Sequence, residues 1–266
     1  MTCLSKAKRN TVLNRFKIVL PSLVVGLLVI NHSASIAKEY DGIWFMGFNL
    51  KHELLQNDKV RGAIIRVIDR EYSEETAPIS IIPPGMLGYD PDLGAQPHDT
   101  KEAKAMMKEA GYPINDERIK KLSILHTDGV KTIAMAERII NNLKNIGMKV
   151  EATKVSFENE EEWVEELTSG NHDFFLMGYK AGISQLFTEE ANAARFDSYS
   201  LIEPLFASSG EANFTGYSKA EVDNLLAKLT GINLALQSER HIKLKQINQL
   251  LAKDLPVVVL FYIEKL

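Results

Sequence analysis

Beyond residue 37 the apolar positions fall into short runs whose period switches between two and about 3.6 residues, the periods of strand and helix. The aromatic-rich run Gly42–Leu50 predicts a buried strand. A helix is expected from Asn57 or Asp58, with Val60, Ile64, Val67 and Ile68 on one face and Asp69 and Arg70 closing it. Residues 79–93 contain Pro83, Pro84 and Pro91, which exclude a helix and leave an extended loop. Asp99 then stands as an N-cap with Glu102 three residues on, and Gly111 and Pro113 supply the stop, so a helix is expected over 100–110. Its inward stripe is Ala103, Met106, Met107 and Ala110, where the methionine pair reads as core packing.

The next segments alternate in period. Leu122–His126 reads as a strand, residues 131–146 as a helix with Ile133, Ala136, Ile140 and Leu143 inward, and Gly147 as its C-terminal cap. Met148–Val155 is a second strand, Glu158–Thr168 a helix anchored by Trp163, Val164 and Leu167, and Asp173–Met177 a third strand. Strands joined by helical crossovers imply an α/β fold with a mainly parallel sheet covered on both faces. Gly178–Ser200 has little period apart from a possible helical turn at Glu189–Ala194, and is the best candidate for a ligand-facing loop. Ser218 and Glu221 form a capping box for a helix with Val222, Leu225, Leu226 and Leu229 inward. A further helix spans Ser238–Ala252, with Leu244, Ile247 and Leu251 inward, and Leu255–Ile263 is a strongly apolar strand.

The first 37 residues change the picture. Lys6, Lys8, Arg9, Arg15 and Lys17 precede the apolar run Ile18–Ile30, and Ser33–Ala37 follows with small residues at Ser35 and Ala37. Basic, apolar and small residues in that order form a secretory signal with cleavage expected after Ala37, so that 38–266 is the mature domain. Spanning a bilayer takes roughly 20 apolar residues, more than this run supplies, although an uncleaved membrane anchor stands as the alternative. Cys3 lies before the apolar run and cannot be the lipid-bearing cysteine of a cleaved lipoprotein signal. As the chain's only cysteine, it also rules out an intrachain disulfide. The net charge of the whole chain is −4, and without the basic leader the body is more acidic still. That balance argues against nucleic acid as a partner.

Five stretches carry a family likeness: Phe48-Asn49 with Asp58–Arg70; Ile82–Met86 with Gly88–Leu93; Ala103–Tyr112; Ala136-Glu137 with Gly147–Val150; and Leu205-Phe206 through Tyr217-Ser218, Val222-Asp223 and Pro256–Tyr262. In this order they resemble family 5 of the bacterial extracellular solute-binding proteins, the dipeptide, oligopeptide and nickel receptors of ABC importers. The resemblance implies a periplasmic-binding-protein-like lobe, truncated relative to the two-lobe family, with the second lobe present and a signal peptide where a first lobe would stand. It further implies a periplasmic or extracellular, non-enzymatic receptor that captures a small peptide or similar solute and presents it to ABC permease subunits. A lobe that captures nothing until a separate chain supplies the other jaw is the alternative.

Two loops are expected to carry ligand contacts, at the strand ends that face the cleft. In His126-Thr127-Asp128-Gly129-Val130-Lys131, backbone N–H groups and Lys131 suit the carboxylate of a peptide. The competing reading is that Thr127 or Asp128 caps a helix and Lys131 is solvated, with His126 a packed or solvent-facing ring. In the second loop the resemblance implies an aromatic residue followed closely by an aspartate that holds the ligand's amino terminus. Tyr179 takes the aromatic place, Lys180 and Ala181 stand where the acid belongs, and Asp197 is the nearest substitute. No cofactor or metal is expected: the six histidines lack ligand spacing and no serine occupies a Gly-x-Ser-x-Gly turn. The acid run Glu158–Glu166 reads as a solvated helix face. Asn213-Phe214-Thr215 matches a glycosylation acceptor, a match common by chance and out of place behind a bacterial export signal.

Overall fold

The computed structural model describes residues 38–70, 78, 80–94, 96–182, 197–233 and 235–265. The expected signal segment and the turn at Glu189–Ala194 lie outside these residues. Among those described, no helix is long and apolar enough to cross a membrane.

Five strands form one sheet: β1 (Tyr40–Phe48), β2 (Leu122–Thr127), β3 (Val150–Val155), β4 (Phe174–Lys180) and β5 (Val257–Glu264), in the order β3-β2-β4-β1-β5. β2 runs parallel to β3 and to β4, as the strand–helix alternation predicts. β1 is antiparallel to both its neighbours, β4 and β5, so the sheet is mixed although four of its five strands point the same way. The crossover pattern starts only at β2, so nothing in the sequence tells where β1 inserts.

The helices are α1 (Glu53–Gln56), α2 (Asp58–Val67), α3 (Thr100–Glu109), α4 (Val130–Lys144), α5 (Glu160–Ser169), α6 (Tyr199–Phe206), α7 (Ala220–Thr230) and α8 (Gln237–Asp254). α2 and α3 open at Asn57 and Asp99, whose side chains accept backbone N–H groups as an N-cap should. Ser218 does not cap α7. Lys219 holds that place, and the Ser218 hydroxyl meets Ser208 Oγ at 2.8 Å, because Ser208 is itself anchored on Asp223. α6 is absent from the sequence-based expectations and contains Pro204; burial of Leu201, Ile202, Leu205 and Phe206 outweighs the hydrogen bond that Pro204 cannot make. α4 is rotated relative to its expected face: Thr132, Met135, Ala136, Ile139 and Leu143 are buried, and Ile133 and Ile140 only half so. Thr132 can turn inward because its hydroxyl lies 2.8 Å from Gly129 O and 2.9 Å from Thr127 O. α5 buries Leu167 fully and Trp163 partly, leaving Val164 exposed.

Each face of the sheet carries a core. On one, Met46, Phe48, Phe174 and Leu176 pack against α2, α3 and α4 through Ile64, Met107 and Ile139; on the other, Phe45, Leu125 and Phe175 pack against α6, α7 and α8 through Leu205, Leu229 and Leu244. The Phe175 ring lies over Gly47, where a Cβ would stand 2.1 Å from Cζ, so glycine is what admits an aromatic ring between β1 and β4. Arg61 links the layers, its guanidinium donating to Leu55 O (2.8 Å) and Gln56 O (2.9 Å) at the end of α1 and to Asp254 O (2.7 Å) at the end of α8. It thereby satisfies carbonyls that helix ends leave orphaned.

Candidate functional site

β2 and β4 are neighbours, yet their ladder covers only Ile124–Phe174 and Leu125–Phe175. Beyond it, β2 turns into α4, which packs on the first core, whereas β4 leads through Ala181 into the second core, where α6 also packs. In open α/β sheets ligands are taken outside the carboxyl ends of the strands. Both loops singled out in the sequence leave the sheet at this edge.

The β2–α4 loop is held by its own bonds. Asp128 N–H donates to Val155 O at 2.9 Å, and Asp128 Oδ1 accepts Phe157 N–H at 2.8 Å, which ties the ends of β2 and β3 together. Neither Asp128 nor Thr127 caps α4: Gly129 is the N-cap and offers no side chain. Ile133 N–H finds Gly129 O, while no described acceptor meets the N–H groups of Val130, Lys131 and Thr132. Lys131 is exposed beside them. Three unmet donors, an ammonium and the positive end of a 15-residue helix make an anion-accepting rim. His126 lies beneath it, buried, with Nδ1 2.7 Å from Thr127 O; a carbonyl there requires the proton on Nδ1.

On the neighbouring strand Tyr179 is buried in the second core, opposite Ile43 of β1. Gly178–Lys180 is strand, not loop, and residues 183–196 of the expected ligand loop lie outside the described residues. Lys180 Nζ pairs with Asp41 at 3.1 Å, so the cation standing in the acid's expected place is already neutralised. Asp197 is buried in an ion pair with Arg240 and accepts Tyr199 N–H at 2.9 Å. Arg240 in turn donates to Leu229 O (2.7 Å) and Ile232 O (3.0 Å). Thr127, Asp128 and Lys131 thus stand together on the β2–α4 loop, whereas Tyr179 is packed in the second core and the Asp197 carboxylate is taken up by the interior.

Sequence reasoning missed several neighbours of the rim. Val130 and Phe157 are 85% and 77% exposed, an apolar pair on the two loops that Asp128 joins. Trp44 and Phe261 stack with ring centroids 6.1 Å apart, and the indole lies over Gly178, where a Cβ would come within 2.7 Å. A glycine inside a strand pattern is the signal that could have pointed to that approach. Asn213 donates to Ala207 O and Tyr217 O at 2.8 and 2.7 Å, which explains the residue as a loop tie without any glycan. Among the described residues no group of three or more His, Cys, Asp or Glu side chains could hold a metal.

Comparisons with known proteins bear on the family and the fold. A family model described as bacterial extracellular solute-binding proteins, family 5 Middle, matches residues 22–187, more than half of the chain. Oligopeptide-binding protein AppA of Bacillus subtilis is 27% identical over 241 residues, 82% of this chain and 41% of that protein. Di/tripeptide-binding protein 2 of Pseudomonas aeruginosa is 28% identical over 138 residues, 49% of this chain and 25% of its own. Among solved structures, HbpA2 of Haemophilus parasuis matches with a TM-score of 0.72 at 20% identity, over 86% of this chain and 43% of that one. AppA of Bacillus subtilis in complex with a nonapeptide matches with a TM-score of 0.69 at 23% identity, over 85% and 45%. These structural likenesses bear on the fold. The chain spans less than half the length of the curated relatives it matches.

Proposed function

The chain belongs to family 5 of the bacterial extracellular solute-binding proteins, and on that premise we propose that residues 38–266 are the closing lobe of an exported receptor that captures small peptides for an ABC importer. Residues 1–37 direct the export. The relatives carry the names of binding proteins, and the mechanism is reversible capture without covalent chemistry. One observation supports the reading above others: at the start of α4, beyond the carboxyl end of β2, the N–H groups of Val130, Lys131 and Thr132 meet no acceptor among the described residues, and the exposed Lys131 stands beside them. These would receive a peptide's terminal carboxylate through charge-assisted hydrogen bonds. Tyr179 stiffens the adjoining strand from within the core. Asp197 already balances Arg240, so the guest's amino end is left to other groups. Hinged closure of a second lobe over the rim would enclose the guest and offer the closed form to a permease.

A second reading is that the lobe formed by these residues folds but holds nothing until the facing wall is supplied. Isothermal calorimetry with di- to pentapeptides separates the two. The receptor reading expects heat from the chain alone, and about a tenfold weaker affinity for Lys131→Ala or for C-terminally amidated peptides, the size of one charge-assisted bond. The unfolding midpoint should not move. Heat that appears only when a protein carrying the first lobe is added favours the second reading. Binding indifferent to both amidation and Lys131→Ala removes the rim from the mechanism.

A further inference from the structure

One face of α8 grips a turn within residues 80–94. His241, Leu244, Lys245, Asn248 and Gln249 recur at the three- and four-residue spacing that stacks side chains along a helix. Gly88, with φ +92°, lies so close to them that a Cβ there would stand 2.5 Å from Leu244 Cβ. Gly88 O accepts from Asn248 Nδ2 at 3.3 Å, and Gly88 N–H donates to His241 Nδ1 at 3.1 Å. Two residues on, Asp90 accepts from Gln249 Nε2 at 2.8 Å and pairs with Lys245 at 3.0 Å. The same turn supports the chain that enters α6: Leu87 forms a parallel bridge with Asp197, and its carbonyl accepts the Ser198 hydroxyl at 2.5 Å.

One of these ties can be undone by a proton. A neutral imidazole has one N–H and one bare nitrogen, whereas the protonated ring has two N–H groups and no acceptor. An amide N–H aimed at Nδ1 therefore selects the tautomer with its proton on Nε2, and a proton added to Nδ1 would set two donors against each other. The described charged and titratable groups on the elements around the ring are Asp90, Asp92 and Lys245, the buried pair of Asp197 and Arg240, and Tyr199. Burial opposes the charge of Asp90, but Gln249, Lys245 and the Asp92 amide prevail and hold it below the usual carboxylate range. Burial pushes the Tyr199 phenol above its usual range. Histidine is the side chain that ordinarily changes charge between about pH 5 and 8, which leaves His241 as the titrating member of the cluster in that window.

We propose that His241 is a pH-sensitive latch: at neutral pH its bare Nδ1 fastens the Gly88 turn to α8, and protonation releases Gly88 and loosens the hold of Leu87 on Asp197 and Ser198. The closed form excludes a proton that the open form accepts, so falling pH favours opening. Asp90 keeps its ties to Lys245 and Gln249 throughout that window, so the turn opens at Gly88 without leaving α8 altogether. Export would expose the ring to the pH of the medium. The latch is built from α8, the Gly88 turn and the start of α6, and it stands or falls without the guest site on the β2–α4 loop.

Amide hydrogen exchange of the full chain, read by nuclear magnetic resonance at about pH 7.5 and about pH 5 and corrected for intrinsic rates, tests this. Protection of the Gly88 amide should fall roughly tenfold at the lower pH, the size of one lost hydrogen bond whose donor then faces another donor. An amide inside α2, such as that of Ile64, should keep its protection. The nitrogen resonance of His241 Nδ1 and the Gly88 amide shift should follow one titration curve. His241→Asn places an oxygen near the position of Nδ1 that takes up no proton, so Gly88 should then be equally protected at both values. A proton on His241 Nδ1 at the higher pH, unchanged Gly88 protection in the native chain, or a fall as steep in His241→Asn overturns the proposal. Should His241→Asn fail to fold by circular dichroism, the titration of the native chain still decides it.

Discussion

The Asp197–Arg240 pair shows how far a single residue can be read. In the sequence Asp197 looks like a ligand acid, standing after an aromatic residue in a segment without period; its partner lies 43 positions away, a distance no local pattern spans. The fold gives the carboxylate an interior task, to neutralise a guanidinium that also closes the end of α7 through Leu229 O and Ile232 O. Replacing one member of a buried pair leaves the other charge unmet, which costs ~3–5 kcal/mol. Asp197→Ala should therefore lower the free energy of unfolding in urea by that order. Asp197→Ala combined with Arg240→Met should recover much of it. If Asp197 held a guest instead, the single variant would leave stability alone and abolish peptide heat. Lys131 is the opposite case: its exposure and place at a helix start are readable from the sequence, whereas the absence of a capping side chain at Gly129 emerges only in three dimensions.

At the scale of elements, the strand–helix–strand run was legible because each segment is long enough to show its period and ends on a turn residue with a physical reason to be there. Gly147 is one: φ is +88°, and a Cβ would stand 2.3 Å from Ile114 O. Gly147→Ala should destabilise by at least the ~1–3 kcal/mol that the left-handed backbone costs a non-glycine residue, read as a lower melting temperature. The phase of α4 and the existence of α6 were not legible, because a satisfied threonine and a tolerated proline are decided by tertiary partners. Residues 80–93 are non-helical, as their prolines require, but they form bends and turns where an extended loop is expected, and their order comes from Asp90. That carboxylate accepts Gln249 Nε2 at 2.8 Å and Asp92 N–H at 3.1 Å and pairs with Lys245 at 3.0 Å, fastening the loop to α8. Burial opposes its charge, but these donors prevail and hold it below the usual carboxylate range. A carboxyl with a lowered folded value adds stability above its unfolded value of about 4, and the contribution fades as pH falls through the folded one. Melting temperature should thus fall with acidification below about pH 4 in the native chain, and less steeply in Asp90→Asn. Equal slopes would mean that Asp90 does not fasten the loop.

Across the whole molecule, the two cores share the strands between them. β1 sends Phe45 to one face and Met46 and Phe48 to the other; β4 divides Phe175 from Phe174 and Leu176 in the same way. Aromatic edges bind the two strands on both sides, Phe45 against Phe175 at 6.1 Å and Phe48 against Phe174 at 6.2 Å. Losing the helices on either face exposes the underside of the same central strands, and the ladders that stabilise the opposite core go with them. The faces should therefore unfold together despite having separate hydrophobic clusters. The chain contains a built-in test, because its two tryptophans lie on different sides: Trp44 packs on the first core and Trp163 on the second. With Trp163→Phe the fluorescence reports one face, and with Trp44→Phe the other. The two urea midpoints, each compared with the far-ultraviolet dichroism of the same variant, should coincide. A Trp163 signal that melts ahead of the dichroism would mean that the α5–α8 layer opens by itself and that the shared sheet does not couple the faces.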